Sequence, residues 1–484
     1  REGISVLSIV GCNTRVCEGV SRRRVLQAGG AGLLGLSLPR VLAAEAAAPP
    51  HKSAARSVIF LLLFGGPSQL ETFDLKPDAP SNIRGPFKPI PCRTPGLLIS
   101  ETLPRLAAIS DRYTVIRTMT HDFNDHSGGG HYIQTGHRWH VPVGGGFSPT
   151  PQDWPSIGSV TEYCAQQEAG ASFRDLPAYV VLPNSLGRLQ EKGQYPRPGE
   201  HAGWLGAAYN PLTTRVDKRN LQDNPYWRDC TDEELTFQLQ GLSTAAEVAP
   251  GRVRARRSLL EQFDEHQRVL DTVPGVESFD RFRRRALALV ASDRTRRALN
   301  LRAEPDSVRD RYGRHLFGQS VLMARRLVEA GVRFVTVHYD CVDGYSWDSH
   351  VHSDDVKNHL MPTTDQAISA LLLDLEERGL LDETLVVALG EMGSTPKANA
   401  RWGRDHWSTL FPALVAGGGI RRGGLYGASD AEAAFVKEDP VRPEDLAATL
   451  YWALGIDPEL TVPDREGRPT PLIDGGKPLH ALFG

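Results

Sequence analysis

Three short runs constrain this chain more than any other feature: Ser57–Phe64, Leu385–Leu389 and Phe411–Ala416 are almost wholly apolar and are bounded by Gly or other turn-forming residues. A strand with one wet face alternates apolar and polar positions, whereas a short unbroken run reads as a strand covered on both faces. Tyr113–Arg117, Tyr179–Leu182 and Val332–His338 add further strands. Between them, Leu322, Leu327 and Val328 line a helix ended by Gly331. Ile368, Leu371, Leu372 and Leu375 repeat at helical spacing from Pro362-Thr363-Thr364-Asp365 to Gly379. This succession predicts an α/β fold, a three-layer sandwich with a mostly parallel central sheet. Residues 57–484 are expected to form a single domain. Residues 141–310 are expected as a long, mainly helical and irregular excursion from it, helical over 252–300 and irregular from Tyr195 to Trp227.

The first 46 residues are set apart. Ser21-Arg22-Arg23-Arg24-Val25-Leu26 runs into the Gly-rich apolar stretch Ala28–Leu38 and then into Ala43-Ala44-Glu45-Ala46, the order of a twin-arginine export signal. That stretch is too short for a hydrocarbon core, which takes roughly 20 apolar residues, so no stable transmembrane anchor is expected. The twin-arginine translocation machinery is the implied partner, and the implied location is periplasmic or secreted. From Ala47 on the chain keeps 49 basic and 55 acidic side chains, a mildly acidic balance that argues against nucleic acid as a partner. Export permits a disulfide, but the spacing of Cys92, Cys164, Cys230 and Cys341 selects no pair and contains no CxxC zinc knuckle.

Chemistry-bearing residues gather at strand ends, where open α/β sheets place their sites. Trp347-Asp348-Ser349-His350 follows one strand, with His352 and His359 beyond it. Gly390-Glu391-Met392-Gly393 follows another, and Gly403-Arg404-Asp405-His406-Trp407 precedes a third. Asp348 can share a face with His352 on a helical turn or with His350 in an extended loop, so spacing leaves both as candidates. Glu391, flanked by glycines at the end of a buried strand, is costly unless an ion or donors satisfy it. Arg404 can clamp an oxyanion bidentately or close the loop on Glu391. His126 precedes Ser127-Gly128-Gly129-Gly130, which can present N–H groups to an anion or simply make a tight loop. Ser127 and Ser68 are the hydroxyls placed as possible nucleophiles, though neither lies in a G-x-S-x-G elbow.

The export signal, Gly65-Gly66-Pro67-Ser68-Gln69-Leu70-Glu71-Thr72-Phe73-Asp74, Trp347-Asp348-Ser349-His350, Gly390-Glu391-Met392-Gly393-Ser394-Thr395-Pro396 and Gly403-Arg404-Asp405-His406-Trp407 together resemble the DUF1501 family of exported bacterial proteins. The resemblance runs from Cys17 to about Asp457. It implies an alkaline-phosphatase-like fold, because the family is distantly similar to sulfatases and alkaline phosphatases. In sulfatases the first strand ends in two metal-binding Asp; here it ends in Gly65-Gly66. The position of the sulfatase nucleophile, nine residues before Thr135-Gly136, is His126, and Gly390-Glu391-Met392-Gly393 keeps one carboxylate of a Ser-Asp-Asn-Gly motif. Asp348 and His352 match the Asp-x-x-x-His spacing of alkaline phosphatases. With the usual nucleophile gone, His126 is left as phosphoryl acceptor, as ligand in a rebuilt site, or as part of a pocket that binds without turnover. The ligand role is preferred: His126, Asp348, His350, Glu391 and His406 supply a mixed N/O set for zinc, manganese or iron. The implied reaction is hydrolysis of a phosphate or sulfate ester by water that the metal activates, with Arg404 holding the anion and Asp405 orienting His406. The substrate would be an anionic ester or polysaccharide. The alternative is a non-catalytic binding or scaffold protein of the cell envelope.

Overall fold

The computed structural model describes residues 15–16, 20–21, 53–169, 176–183, 197–216, 219–220, 223–239, 292–340 and 347–484. The chain divides into two units, 1–52 and 53–484. In the first, Arg15–Val16 pairs antiparallel with Val20–Ser21; the Arg22–Arg24 export motif and the apolar stretch after it lie outside the described residues, as do 252–291 of the expected helical segment.

The second unit is built on a nine-stranded sheet. Its strands are β1 (Ser57–Leu62), β2 (Thr114–Met119), β3 (Tyr179–Leu182), β4 (Leu212–Arg215), β5 (Gln238–Leu239), β6 (Phe334–His338), β7 (Thr384–Leu389), β8 (Phe411–Ala416) and β9 (Gly424–Tyr426). They lie in the order β9-β2-β8-β7-β1-β6-β3-β4-β5. The core β7-β1-β6-β3-β4 is parallel, β8 runs antiparallel to both β7 and β2, and β5 closes the far edge antiparallel. All six residues of β1 are buried, and their side chains divide by pleat. Ile59 and Leu61 join one core, with Leu316–Val328 and Ile368–Leu375. Val58, Phe60 and Leu62 join the other, with Ile133, Ile157 and Leu446–Leu454. Helices therefore cover both faces, α1 (His126–Thr135), α2 (Ile157–Ala169) and α5 (Pro443–Ala453) on one side, α3 (Leu316–Glu329) and α4 (Met361–Glu377) on the other. The absence of alternation in the sequence runs follows from this double burial, which stabilises each Leu, Ile or Phe by about 1.5–3 kcal/mol.

Two features depart from the simplest reading of the sequence. Part of the segment 141–310 does not leave the sheet: β3, β4 and β5 extend one edge of it. Ser127–Gly130, read as an anion-presenting segment or a tight loop, lie within helix α1, capped by Asp125, whose side chain accepts from Gly128 N–H. The glycines serve close packing rather than an anion. A Cβ on Gly128 would lie 1.7 Å from the Phe123 ring, one on Gly130 2.9 Å from Phe64, and one on Gly129 would press on Glu391.

Among the described residues no helix is long and apolar enough to cross a membrane. Cys92, Cys164 and Cys230 are free thiols; Cys341 lies outside the described residues.

Candidate metal centre

One rim of the sheet collects the chemistry. Strands β1 and β7 end there and deliver Gly65 and Glu391. Strand β2 also ends there and leads to α1 and His126. Because β8 runs the opposite way, it begins at this rim, so His406, just before it, arrives at the same place. The segment 347–350 crosses the top of β1: a Cβ on Gly65, which holds φ at +121°, would lie 2.5 Å from Asp348 N. Only glycine combines that backbone angle with so close an approach.

The Asp348 carboxylate is the hub. Its Oδ2 lies 3.1 Å from His126 Nε2, and its Oδ1 lies 2.8 Å from His350 Nε2 and 3.1 Å from His406 Nε2; the two latter nitrogens are 3.1 Å apart. His126, Asp348 and His406 form a group whose ligand atoms all lie within 4.8 Å of one another. The other nitrogen of each ring is held from behind: His126 Nδ1 by Glu391 Oε1 at 2.5 Å, His350 Nδ1 by Asp405 Oδ1 at 2.9 Å, and His406 Nδ1 facing the Asn124 carbonyl at 3.4 Å. Imidazoles so backed present Nε2 to a common point, as metal-ligating histidines do.

The fit to a divalent ion can be tested on the donors themselves. Around zinc, with bonds of about 2.0–2.1 Å, tetrahedral donors stand about 3.3 Å apart; Asp348 stands 2.8–3.1 Å from each imidazole, and the ligand atoms of His126, Asp348 and His406 lie within 4.8 Å of one another. His126 Nε2 is out of solvent and faces Asp348 Oδ2 at 3.1 Å, so its one neighbour of opposite charge is the carboxylate that the other two imidazoles share. Electrostatics agree. Burial alone would lower His126, but Asp348 and Glu391 hold it at about 10. Asp348, helped by Asp405, raises His350 to about 9 against partial burial. Burial would raise Asp348, yet the three imidazoles hold it well below the usual carboxylate range. The cluster attracts positive charge, and in a metal-free state protons supply it.

Several expected roles change. Glu391 is fully buried and accepts Gly65 N–H on both oxygens at 2.9 and 3.0 Å besides holding His126, so it supports a ligand rather than ligating. Arg404 is turned to Glu71 rather than to Glu391. Its Nε donates to Glu71 at 2.9 Å and its remaining nitrogens to the carbonyls of Ile83, Thr395 and Pro396, which engages four of the five N–H groups of a buried guanidinium. Asp405 orients His350, not His406. His352 points away from the hub: its Nδ1 accepts Asp354 N–H, and its backbone bridges to Trp402. Ser68 and Ser127 are buried, and neither Oγ has a hydrogen-bond partner, so neither has the adjacent base of an activated nucleophile. Sequence reasoning passed over Gly65, Asn124 and Glu71 as partners of the site; the glycine pair that ends the first strand was the one visible signal.

Beside the centre lies a second buried polar group. Arg197 stacks over Phe64 at 4.4 Å and pairs with Asp340 at 2.8 and 3.1 Å; Phe64 in turn faces the His126 ring at 5.5 Å. Glu200 lies 3.4 Å from His338 Nε2, both fully buried and without aligned hydrogen bonds on their side chains. Burial, helped by Asp340 and opposed by Arg197, pushes Glu200 up to about 8. Burial pushes His338 down to about 4 despite Asp340. The raised carboxyl makes stability fall as pH rises from its unfolded value to about 8; the depressed imidazole makes stability rise from about pH 4 to its unfolded value near 6.5. The slopes oppose each other up to about pH 6.5, leaving a net loss of roughly 2 kcal/mol between about pH 6.5 and 8. In Glu200→Gln this pair's share of the loss should vanish while the rise below pH 6.5 remains; the difference between wild-type and variant urea midpoints at pH 5, 6.5 and 8 isolates it from the losses that the raised His126 and His350 add over the same range.

A model of the family described as "Protein of unknown function (DUF1501)" matches residues 55–483. No curated protein sequence matches. Among solved structures, the chain is similar to PsFucS1 sulfatase from Pseudoalteromonas sp. (12% identity, 89% of this chain and 72% of that one, TM-score 0.36). It is also similar to the phosphonate monoester hydrolase from Silicibacter pomeroyi (12%, 88% and 76%, 0.32) and to an alkaline phosphatase from the Antarctic bacterium TAB5 (15%, 79% and 97%, 0.30).

Proposed function

The chain belongs to the DUF1501 family, and from that premise we propose that it is an exported, metal-dependent hydrolase of phosphate or sulfate esters with a rebuilt site. The observation that carries this reading is the convergence of three imidazole Nε2 atoms on the Asp348 carboxylate, each ring held from behind by an acceptor. Three nitrogens and one carboxylate suit zinc best, with manganese and iron as the other candidates. A divalent ion there would supply Lewis acidity toward a substrate oxygen and make water a nucleophile near neutral pH.

The chain's own residues do the rest. Glu391 and Asp405 fix the tautomers of His126 and His350, and Asp348 keeps the imidazoles together. Ser68 and Ser127 lack a base and Arg404 is committed to Glu71, so neither a hydroxyl nucleophile nor a guanidinium clamp is offered by these residues, and a bound ion would supply both the activated water and the contact to the ester oxygen. The expected export by the twin-arginine machinery and a periplasmic or secreted location belong to this proposal.

One feature favours the alternative, a non-catalytic binding or scaffold protein of the cell envelope: three imidazoles and one carboxylate equal the number of protein donors in structural zinc sites. The test is metal analysis of protein purified without added metal, followed by a panel of aryl phosphate and sulfate esters with and without chelator. Near-stoichiometric metal with chelator-sensitive hydrolysis supports the enzyme. Metal without hydrolysis across the panel favours the scaffold, and folded protein that takes up no metal ends the metal reading.

A further inference from the structure

The four donors are not equivalent, and the difference bears on where a substrate could enter. His126, Asp348 and His406 are similarly enclosed, their side chains 22–24% exposed, and among the described residues they alone form the group with all ligand atoms mutually close. His126 is carried by the first turn of α1, and His406 lies in a two-residue pairing with Gly393–Ser394. His350 is 39% exposed, and its backing carboxylate, Asp405, is 81% exposed. It touches the hub from the outside, through Asp348 Oδ1 and His406 Nε2.

The backbone around His350 is tied to the loop between Glu391 and His406 by Arg404 N–H to Ser349 O at 3.0 Å, by the bridge of His352 with Trp402, and at His350 itself by one side chain. Asn399 Nδ2 donates to the carbonyls of His350, at 2.9 Å, and Val351, at 3.3 Å. Its Oδ1 accepts the N–H groups of Arg401 and Gly403 at 2.8 and 3.0 Å, and its own N–H donates to Gly403 O at 2.9 Å. The loop this creates is tight. Trp402 is held at φ +67°, a conformation uncommon for a residue with a side chain, and a Cβ on Gly403 would lie 2.1 Å from His350 O. Asn399 thus fastens the loop that carries His350 to the loop that carries Asp405 and His406, using an exposed amide.

We propose that His350 is the detachable ligand of this centre and Asn399 its positioning residue: the three enclosed donors retain the ion, and release of His350 frees the place at which an ester oxygen enters. This rests on the metal reading above and goes beyond it by naming the position that opens. A site closed by three protein donors with a fourth place available has the donor count of catalytic zinc centres, whereas four permanent donors do not.

Cobalt(II) titration, followed by visible absorption and by competition with a chelator, tests this without any substrate. His350→Ala should still bind one equivalent, with affinity lowered about 10–100-fold, the range seen when a supporting partner of a metal site is lost, and with an altered spectrum that added imidazole restores. Asn399→Ala should lower affinity in the same direction by less. Its effect should disappear in the His350→Ala background, because residues acting through one interaction are not additive. Loss of the ion from His350→Ala as complete as from Asp348→Ala overturns the proposal, as does unchanged binding in His350→Ala or additivity of the two substitutions. Wild-type protein that binds no cobalt overturns this inference together with the metal reading, whereas the preceding outcomes leave that reading standing.

Discussion

Asp348→Ala is expected to abolish metal binding at micromolar concentrations while leaving the protein folded. One carboxylate touches all three imidazoles, at 2.8–3.1 Å, so its removal takes away a donor and the negative charge around which the rings gather. The affinity loss should exceed the roughly 10–100-fold that follows removal of an outer partner. Glu391→Gln, which weakens the acceptor behind His126 but keeps the shape, should fall within that lower range. Asp348→Asn serves as the isosteric control, keeping volume and removing charge. Equilibrium dialysis with zinc against the wild type measures all three. An Asp348→Ala protein that binds zinc as tightly as the wild type would remove the hub from the description, and with it the proposed reaction.

The largest stability effect is expected at Arg404→Ala. The guanidinium and the Glu71 carboxylate it pairs with are both almost out of solvent, 2% and 3% exposed. Burial outweighs the pairing in raising Glu71 above its ordinary value. Taking away the arginine leaves a buried carboxyl without its partner and uncovers the carbonyls of Ile83, Thr395 and Pro396. Breaking such a pair from one side costs about 3–5 kcal/mol. Urea unfolding should show this as a lower midpoint with an unchanged slope. Arg404→Lys, a single point charge in place of a fork, should recover only part of it. A double-mutant cycle with Glu71→Ala isolates the pair. A cost below about 1 kcal/mol, the range of exposed pairs, would mean that the pair is effectively solvated.

These expectations divide along what the sequence could reveal. Strands buried on both faces announce themselves, and Ser57–Phe64, Tyr179–Leu182 and Phe411–Ala416 were legible to within two residues for that reason. The direction of Phe411–Ala416 was not, because an apolar run has no polarity along the chain; only the antiparallel pairing with β7 carries His406 to the rim. Helix α1 was hidden by its own composition, since three successive glycines disfavour a helix, and the demand for them came from Phe123, Phe64 and Glu391. The gathering of residues near 126, 348–350, 391 and 406 was anticipated from strand ends, but not how the residues pair within it. Whether Asp405 backs His350 or His406 depends on a loop path drawn by Asn399. Whether Arg404 meets Glu391 or Glu71 depends on a partner 333 positions away. His350 rather than His352 meets Asp348 because the latter histidine is turned into a bridge with Trp402.

The hydrogen bonds from Gly65 N–H to Glu391, and from His126 to Glu391, join stretches of chain 326 and 265 residues apart. An ion seated there can therefore form its full set of bonds only in the assembled molecule. Bound to the native form and not to the unfolded chain, it raises the melting temperature in proportion to the logarithm of its free concentration once above the dissociation constant. Thermal melts across a series of metal salts then rank the ions this protein prefers, with the polypeptide acting as its own indicator.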